Sequence, residues 1–276
     1  MCNVRSRMNS DIDIQADADT FQDDGFCIAR SIIPGDVVDR ARRRFEALIG
    51  GEYETGVVPG YSRAPAEALA EPPRQLYRLY QAHLADRAIA DLVTHPALGQ
   101  YTAQLFGARR IQLWGSLLLV KPPNVQVKGN IGWHQDHHYF TTVWSDQSEV
   151  FFASIAVNDI VGNCGPVIMI RGSHRWVYRG DGDFYGQDLE QVRSGIRVPD
   201  GDSWQQVPMT MTAGSVSVHH KKTFHGSEAN QSAEPRLSVL AFLRTERSEP
   251  LSGSDSYWVQ HLDDQSICPA ISDVVQ

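Results

Sequence analysis

The pattern of hydrophobic and polar residues changes its period at about residue 111. Before that point, "PGDVVDRARRRFEALIG" (34–50) repeats apolar residues with a helical period, after a proline and ahead of glycines. Its predicted buried face consists of Val37, Val38, Ala41, Phe45, Leu48 and Ile49. A second helical region is predicted from about Arg74 to Phe106, with a break near His95–Pro96 and an end at Gly107. The Gly- and Pro-rich stretch 55–74 between them predicts a surface loop.

From Ile111 onward the chain contains short apolar runs bounded by Gly, Pro, Asn or Asp, which predict β-strands. These runs are "IQLWGSLLLV", "GWHQDHHYF", "VFFASIAV", "PVIMI", "GSVSV" and "RLSVLAFL". A helical first part followed by many strands predicts a mainly β fold, a sandwich or barrel with helices packed outside. The polar segment 177–211 is long for a connection, so we expect it to form a lid or binding loop.

Length and composition favour one domain with a sizeable core. The chain has 276 residues, of which 42% are hydrophobic, and we expect a single domain over residues 21–276. Residues 1–20 are polar and predict a loose tail, neither a signal peptide nor a membrane span. Four scattered cysteines (Cys2, Cys27, Cys164 and Cys268) favour a reducing compartment, the cytoplasm, over a disulfide framework or a structural zinc site.

The charge balance argues against polyanionic partners. The formal net charge is -8, from 33 acidic and 25 basic side chains. The longest basic stretch, Arg40–Arg44, falls on the first predicted helix and is expected to be its solvated face. Nucleic acid and anionic membranes are therefore disfavoured, and a small-molecule partner is expected.

The octapeptide "WHQDHHYF" (133–140) carries the first candidate chemistry. On a strand, His134 and Asp136 would share one face and Gln135 would point to the other. Two histidines and one carboxylate form a facial triad that leaves three positions of an octahedral Fe(II) ion open. "His261-Leu262-Asp263" has the same spacing but no later histidine, whereas His225 completes the set begun at residue 134.

An arginine eleven residues after His225 makes this set more specific. The cosubstrate 2-oxoglutarate chelates iron through its keto acid end and leaves its distal carboxylate free. A buried carboxylate needs a permanently charged, bidentate partner, which Arg236 would provide. Ser238 shares the strand face of Arg236, and Ser227 lies two residues beyond His225, so both could donate further hydrogen bonds.

Together, "KPP", "WHQDHHYF", "NCGPVIMIRGSHR", "HGSEANQSAEPR" and the earlier "FQDDGFCIARSIIPGDVV" resemble the phytanoyl-CoA dioxygenase family of Fe(II)/2-oxoglutarate oxygenases, from about residue 21 to 245. The resemblance implies a double-stranded β-helix, a jelly-roll or cupin-like barrel. It implies Fe(II), 2-oxoglutarate and O2, with iron held by His134, Asp136 and His225. It also implies cosubstrate contacts from Arg236 with Ser227 or Ser238, and from Ser154 and Arg78. Halogenating members have a small residue at the carboxylate position, so Asp136 disfavours halogenation.

The remaining polar and aromatic residues near these motifs have two readings each. His137 and His138 could touch substrate or support a ligand, or simply lie on the surface. Trp144 and Trp204 could line a substrate pocket or pack in the core. His220 could replace His225 as a ligand, but the spacing to Arg236 favours His225.

The sequence thus predicts a non-haem dioxygenase for a small molecule, with hydroxylation or related oxidative tailoring in natural-product biosynthesis favoured. Epimerisation, ring closure and desaturation use the same residues and stay open. A cupin-like metal isomerase or metabolite-binding protein is the alternative of a different class, and it would not need Arg236. A nucleic-acid demethylase is disfavoured by the negative charge. The sequence leaves the oligomeric state open.

Overall fold

The computed structural model describes residues 12–59, 76–124, 129–254, 256 and 258–273. In this part of the chain the helices are α1 Ile14–Asp24, α2 Gly35–Arg42, α3 Phe45–Ile49, α4 Ala82–Ala85, α5 Arg87–Val93, α6 Pro96–Phe106, α7 His137–Phe140 and α8 Leu189–Ser194. The strands are β1 Phe26–Ala29, β2 Tyr77–Tyr80, β3 Arg110–Lys121, β4 Ile131–His134, β5 Val150–Ala156, β6 Ile168–Ile170, β7 Gln206–Pro208, β8 Val216–His220, β9 His225–Ser227, β10 Arg236–Thr245 and β11 Ala270–Asp273. No helix among the described residues is both long and apolar enough to span a membrane.

The strands form two antiparallel sheets. The larger sheet has seven strands in the order β1-β8-β5-β10-β3-β11, with β2 also paired to β3. The smaller sheet has the order β4-β9-β6-β7. This arrangement confirms the mainly β jelly-roll fold with flanking helices. The expected barrel is not closed, because no strand in the described residues pairs across from one sheet to the other.

Alternating residues give the larger sheet two different faces. On β10, Val239, Ala241 and Leu243 pack in the main hydrophobic core, against a helical layer that supplies Val38, Phe45, Leu48, Ile89, Leu92 and Tyr101. The intervening Ser238, Leu240 and Phe242 line a cavity instead. Strands β5 and β8 alternate in the same way. One face of the larger sheet therefore packs against the helices, and the other face lines the cavity.

The first predicted helix is confirmed as two helices. The chain turns between α2 and α3, and the predicted apolar residues from Val37 to Leu48 are buried. Arg40 and Arg42 lie on the exposed side, each within 2.8 Å of an aspartate on the same helix. The expectation of a solvated basic face is therefore confirmed for these two arginines.

Two helical boundaries were predicted correctly, and one segment was wrong. His95 caps α6 by accepting a hydrogen bond from the backbone N–H of Ala97, and Gly107 ends the helix with a φ of 55°. Residues 77–80, expected to be helical, form strand β2, because they pair along their length with β3. Long-range pairing of this kind overrides local propensity.

The predicted loose tail is wrong in its second half. Helix α1 begins at Ile14, and the side chain of Asp13 accepts a hydrogen bond from Ala16 N. Phe21 packs edge-on against Phe106 of α6, with ring centroids 5.0 Å apart. A contact between helices distant in the sequence therefore orders this polar segment. Residues 1–11 lie outside the described part.

The predicted strand over 132–140 is wrong beyond His134. The pairing of β4 with β9 stops at His134, and residues 137–140 form the short helix α7. The backbone N–H of His137 donates to Lys221 O at 2.8 Å, which turns the chain away from the sheet. Segment 177–211 is not a bare loop either, because it contains α8 and β7.

Gly132 is a position where a side chain does not fit. Its N–H donates to Phe184 O at 3.0 Å, and a Cβ atom there would overlap the carbonyl oxygen of Asp183. We expect Gly132→Ala to destabilise the protein by about 1–3 kcal/mol, since the added methyl forces the two segments apart. Urea unfolding measures this change. Gly162→Ala is the matched control, because a Cβ at Gly162 has no neighbour within 4 Å. Equal stability of the two variants would contradict the prediction.

Candidate active site

Strands β4 and β9 bring two histidines side by side. His134 at the end of β4 lies opposite His225 at the start of β9. One ligand atom each from His134, Asp136 and His225 lies within 4.8 Å of the others. Asp136 follows the end of β4 in a helical backbone conformation, with φ −57° and ψ −32°. The carboxylate of Asp136 therefore reaches His134 because the chain turns. The two side chains do not share a strand face, although the sequence had suggested that they do.

Backbone carbonyls fix the orientation of both imidazoles. Nδ1–H of His134 donates to Gly132 O at 2.8 Å, and Nδ1–H of His225 donates to Thr223 O at 2.9 Å. Each Nε2 atom consequently carries its lone pair toward Asp136, whose nearest carboxylate oxygens are 3.6 Å and 3.7 Å away. Two oriented Nε2 donors and one carboxylate fit a divalent first-row metal with nitrogen and oxygen preference, such as Fe(II).

The site has the protonation state that a metal requires. Burial alone would raise the pKa of Asp136, but the surrounding imidazoles of His225, His134 and His219, the last of which donates a hydrogen bond to it, hold the pKa well below its usual range. Burial, with the adjacent His134, lowers the pKa of His225 to about 3. At neutral pH the carboxylate is therefore ionised and His225 is neutral, as metal ligands must be.

His219 is a site residue that sequence reasoning did not assign. It comes from β8 in the opposite sheet, and its Nε2–H donates to Asp136 Oδ2 at 2.8 Å. Its ring stacks on Phe152, with centroids 5.5 Å apart and planes at 22°. The alternation in "SVSVHH" places Ser217 and His219 on the cavity face, which was the available signal. His219 thus holds one oxygen of Asp136 and leaves the other for a metal.

We expect His219→Phe to weaken Fe(II) affinity by about 10–100-fold, the usual effect of losing a group that orients a ligand. Phenylalanine keeps the stacking on Phe152 but cannot donate to Asp136. Anaerobic Fe(II) titration of the purified variants measures the effect. His220→Phe is the matched control, because His220 is the next residue and lies outside the described cavity lining. Wild-type affinity in His219→Phe would show that Asp136 needs no such support.

The candidate ligands open into a cavity between the two sheets. Its volume is about 960 Å³ when the space open to solvent at its mouth is counted. Its lining includes residues of both sheets and of segment 177–211. Besides the candidate ligands, the walls include Tyr80, Leu117, Leu119, Ile131, Tyr139, Phe140, Phe152, Phe184, Tyr185, Leu240 and Phe242. The expectation that segment 177–211 borders a site is met through Phe184 and Tyr185.

A buried arginine stands at one end of this cavity. Arg236 is 2% exposed, and its Nη1 donates to Gly165 O, while its Nε has no hydrogen-bond partner among the described residues. Ser227 Oγ is likewise buried and unpaired there, and Ser238 lines the same cavity. Burial lowers the pKa of Arg236 to about 10, so the side chain stays charged at neutral pH. A buried cation with unpaired donors beside it fits a carboxylate ligand.

Lys121, the lysine of "KPP", is paired with Arg236 on the neighbouring strand β3 but does not add a second positive charge. Its Nζ atom donates to Glu228 O, and the side chain is buried. Burial, together with the charge of Arg236, lowers its pKa to about 6. At neutral pH Arg236 therefore provides the positive charge at this end of the cavity.

The structure brings two further predicted residues to the cavity. Ser154 lies on β5 beside Leu240 and Ser217, facing inward. Arg78 also lines the cavity, with its guanidinium over the ring of Phe184 at 4.7 Å. The cavity therefore contains every residue predicted for the metal and the cosubstrate.

The four predicted substrate contacts lie elsewhere among the described residues. His137 Nε2 is 3.3 Å from Asp146 Oδ1, and His138 Nδ1 is 2.9 Å from the hydroxyl of Tyr178. Trp144 packs edge-on against Trp114 in the core. Trp204 packs on a neighbouring indole, with Arg193 4.2 Å above its ring. The aromatic residues that do line the cavity come from α7, from segment 177–211 and from strands of the larger sheet: Tyr139, Phe140, Phe184, Tyr185, Tyr80, Phe152 and Phe242.

An open jelly roll with two histidines, a carboxylate and a buried arginine in one cavity defines a metal-binding protein of the double-stranded β-helix class. A family model described as "Phytanoyl-CoA dioxygenase (PhyH)" matches residues 21–238. The chain belongs to this family, which confirms the resemblance seen in the sequence motifs.

Two relatives of known description are similar to this chain. Ectoine dioxygenase of Bordetella parapertussis is 29% identical over 188 residues, which cover 63% of this chain and 59% of that protein. The chain therefore spans less than two thirds of that relative. Ectoine dioxygenase of Halomonas elongata is 25% identical over 241 residues, covering 82% of this chain and 68% of that protein.

Solved structures share the fold at low identity. The α-ketoglutarate-dependent epimerase SnoN from nogalamycin biosynthesis superposes with a TM-score of 0.65 and 19% identity, covering 84% of this chain and 80% of its own. The carbocyclase SnoK from the same pathway superposes with a TM-score of 0.64 and 21% identity, covering 87% of this chain and 86% of its own. EctD from S. alaskensis, with 2-oxoglutarate and 5-hydroxyectoine bound, superposes with a TM-score of 0.62 and 19% identity, covering 88% of this chain and 80% of its own.

Proposed function

We propose that this protein is an Fe(II)- and 2-oxoglutarate-dependent oxygenase that acts on a small molecule. The observation that carries the proposal is one cavity holding both an oriented His–Asp–His set and a buried, charged Arg236 with an unpaired Nε. A metal-binding protein without a cosubstrate has no use for such an arginine, because a buried unpaired cation is costly. Membership of the phytanoyl-CoA dioxygenase family over residues 21–238 supports the proposal and a single domain from residue 21 onward.

His134, Asp136 and His225 would hold the iron, and Arg236 with Ser227 and Ser238 would hold the distal carboxylate of 2-oxoglutarate. Ser154 is a further polar group within the same cavity and a candidate cosubstrate contact. Bound iron and cosubstrate supply, with O2, the oxidation of an unactivated C–H bond coupled to conversion of 2-oxoglutarate into succinate and CO2.

The remaining walls exclude water and orient the substrate. Leu240, Phe152 and Phe242 line the inner face of the larger sheet. Phe184 covers His134 from the other side, with ring centroids 4.8 Å apart. An apolar enclosure of this kind strengthens polar contacts to the cosubstrate and protects reactive species from water.

We infer hydroxylation or related oxidative tailoring of a natural product as the outcome. The named relatives support both parts of this range: ectoine dioxygenases on one side, and an epimerase and a carbocyclase from nogalamycin biosynthesis on the other. Epimerisation and ring closure therefore remain the second candidate outcome at the same residues. Cys27, Cys164 and Cys268 are buried free thiols, which supports a cytoplasmic location.

Anaerobic titration of the protein with Fe(II) and 2-oxoglutarate tests the proposal. We expect a visible metal-to-ligand charge-transfer band at stoichiometric ligand, followed by succinate release when O2 and a substrate are added. Product mass then distinguishes the gain of an oxygen atom from the loss of two hydrogens, or from unchanged mass in epimerisation. Iron binding without any 2-oxoglutarate-dependent band would instead support the cupin-like metal protein.

A further inference from the structure

Arg78 faces the cavity because of the alternation of strand β2. Tyr77 and Leu79 pack in the main core with the helical layer, and the intervening Arg78 and Tyr80 line the cavity. Arg78 lies directly opposite Leu119 of β3, whose cavity-facing side chain follows the same alternation. The position of this cation on the cavity wall is therefore fixed by the sheet.

Arg78 has no acidic partner among the described residues. The carboxylate in the cavity, Asp136, is engaged by His134, His219 and His225. The guanidinium of Arg78 instead lies 4.7 Å over the ring of Phe184 and 5.7 Å from that of Tyr185. Stacking uses the flat face of the guanidinium and leaves its edge N–H groups available to an anion.

The cation of Arg78 is distinct from the one assigned to the cosubstrate. Arg78, Leu119 and Ser238 follow one another across three strands, so Arg78 stands two strands from Ser238. At the usual spacing of strands, their backbones are about 10 Å apart. Phe184 contacts both Arg78 and His134, so a single aromatic ring separates Arg78 from the candidate metal ligands.

The cavity around Arg78 is aromatic and opens to solvent. Tyr139 and Tyr185 line it and are 43% and 54% exposed, which is high for such large side chains. Tyr80, Phe140 and Phe184 continue this lining inward. An apolar, ring-bearing body would fit this aromatic lining, and an anionic group would fit beside Arg78.

We propose that Arg78 binds a carboxylate of the substrate, and that the substrate is a small, ring-bearing carboxylic acid; this inference rests on the proposed oxygenase function. A carboxylate is favoured because a planar guanidinium matches it with two parallel hydrogen bonds. Phosphate groups, as in an acyl-CoA, would call for several cations. Among the described lining residues, Arg78 and Arg236 are the lysine or arginine side chains present.

The test uses the protein loaded anaerobically with Fe(II) and 2-oxoglutarate, so that the site at Arg236 is filled. Matched acid–amide pairs serve as probes: 4-phenylbutanoate with its amide, and cyclohexanecarboxylate with its amide. Their affinities are measured by calorimetry and by perturbation of the charge-transfer band. The variants are Arg78→Gln and Arg78→Lys, with Arg87→Gln as control, because Arg87 forms an exposed ion pair with Glu54 outside the cavity.

For wild type and Arg87→Gln we expect at least one acid to bind about tenfold or more tightly than its amide. In Arg78→Gln this ratio falls to about one, and Arg78→Lys, which keeps the charge, retains part of it. The affinity for 2-oxoglutarate changes less than about threefold in both variants, a readout that also shows that they are folded.

The proposal is overturned if no acid is preferred in wild type, absence of binding included, or if the preference survives in Arg78→Gln. A tenfold loss of 2-oxoglutarate affinity in Arg78→Gln also overturns it and returns Arg78 to the cosubstrate. Absence of the charge-transfer band in wild type is a different failure, that of the oxygenase function itself.

Discussion

His225→Ala is expected to abolish stoichiometric Fe(II) binding and to lower succinate formation by at least about 100-fold. Losing a group that merely supports a metal ligand already costs 10–100-fold, so losing a ligand has a larger effect. The remaining His134 and Asp136 would offer two donors, too few to hold iron in a defined geometry. Anaerobic metal titration and the charge-transfer band measure the loss directly, before any substrate is known.

The sequence supplies a matched control for this variant. His261, in "His-Leu-Asp", has the spacing of His134 but lies outside the described cavity lining. His261→Ala should bind iron as the wild type does. Full iron affinity in His225→Ala, or an equal loss in His261→Ala, would contradict the assignment of the ligands.

Arg236→Ala is expected to lower 2-oxoglutarate affinity by about 30-fold or more. Truncating one partner of a buried charge pair costs about 2–5 kcal/mol, largely because the other charge stays buried and unpaired. Iron affinity should remain close to that of wild type, since Arg236 makes no contact with His134, Asp136 or His225 among the ion pairs and hydrogen bonds of the described residues. Titration of 2-oxoglutarate into the iron-loaded protein measures the change.

Two controls separate a specific loss from a structural one. Arg244 lies on the same strand and donates hydrogen bonds to Gln112 and Ser248 outside the cavity lining, so Arg244→Ala should keep 2-oxoglutarate affinity. 2-Oxobutanoate, which lacks the distal carboxylate, should bind wild type and Arg236→Ala equally. A cupin-like metal protein that is not an oxygenase would show no response to Arg236→Ala.

Local pattern predicted most of the elements that build the site. The alternation in "VFFASIAV" and "RLSVLAFL" gave β5 and β10, because one face of each strand is buried under helices and the other lines the cavity. It failed where long-range pairing decided the structure. Residues 77–80 form a strand because they pair with β3. Residues 137–140 leave the sheet because the backbone N–H of His137 donates a hydrogen bond to Lys221 O.

The aromatic residues show why a lining cannot be predicted one residue at a time. Trp144, Trp204, Phe184 and Tyr185 are all large aromatic residues in predicted loops, and nothing in the local sequence distinguishes them. Trp144 and Trp204 nevertheless pack in hydrophobic cores, whereas Phe184 and Tyr185 line the cavity. Which side an aromatic ring takes depends on how segment 177–211 lies across the strands. That placement depends on contacts such as the close approach of Gly132 to Asp183.

The sequence by itself determined the donor types and their order: His134, Asp136 and His225 for a metal, then Arg236 for a carboxylate. Chemistry restricts such sets to a few residue types, so their spacing is visible along the chain. Only the tertiary structure decided that His219 supports Asp136 from 83 residues away, and that Arg78 stands over Phe184 without an acidic partner among the described residues. These contacts join strands and loops remote in sequence, and they exist only because the two sheets stack face to face around the cavity.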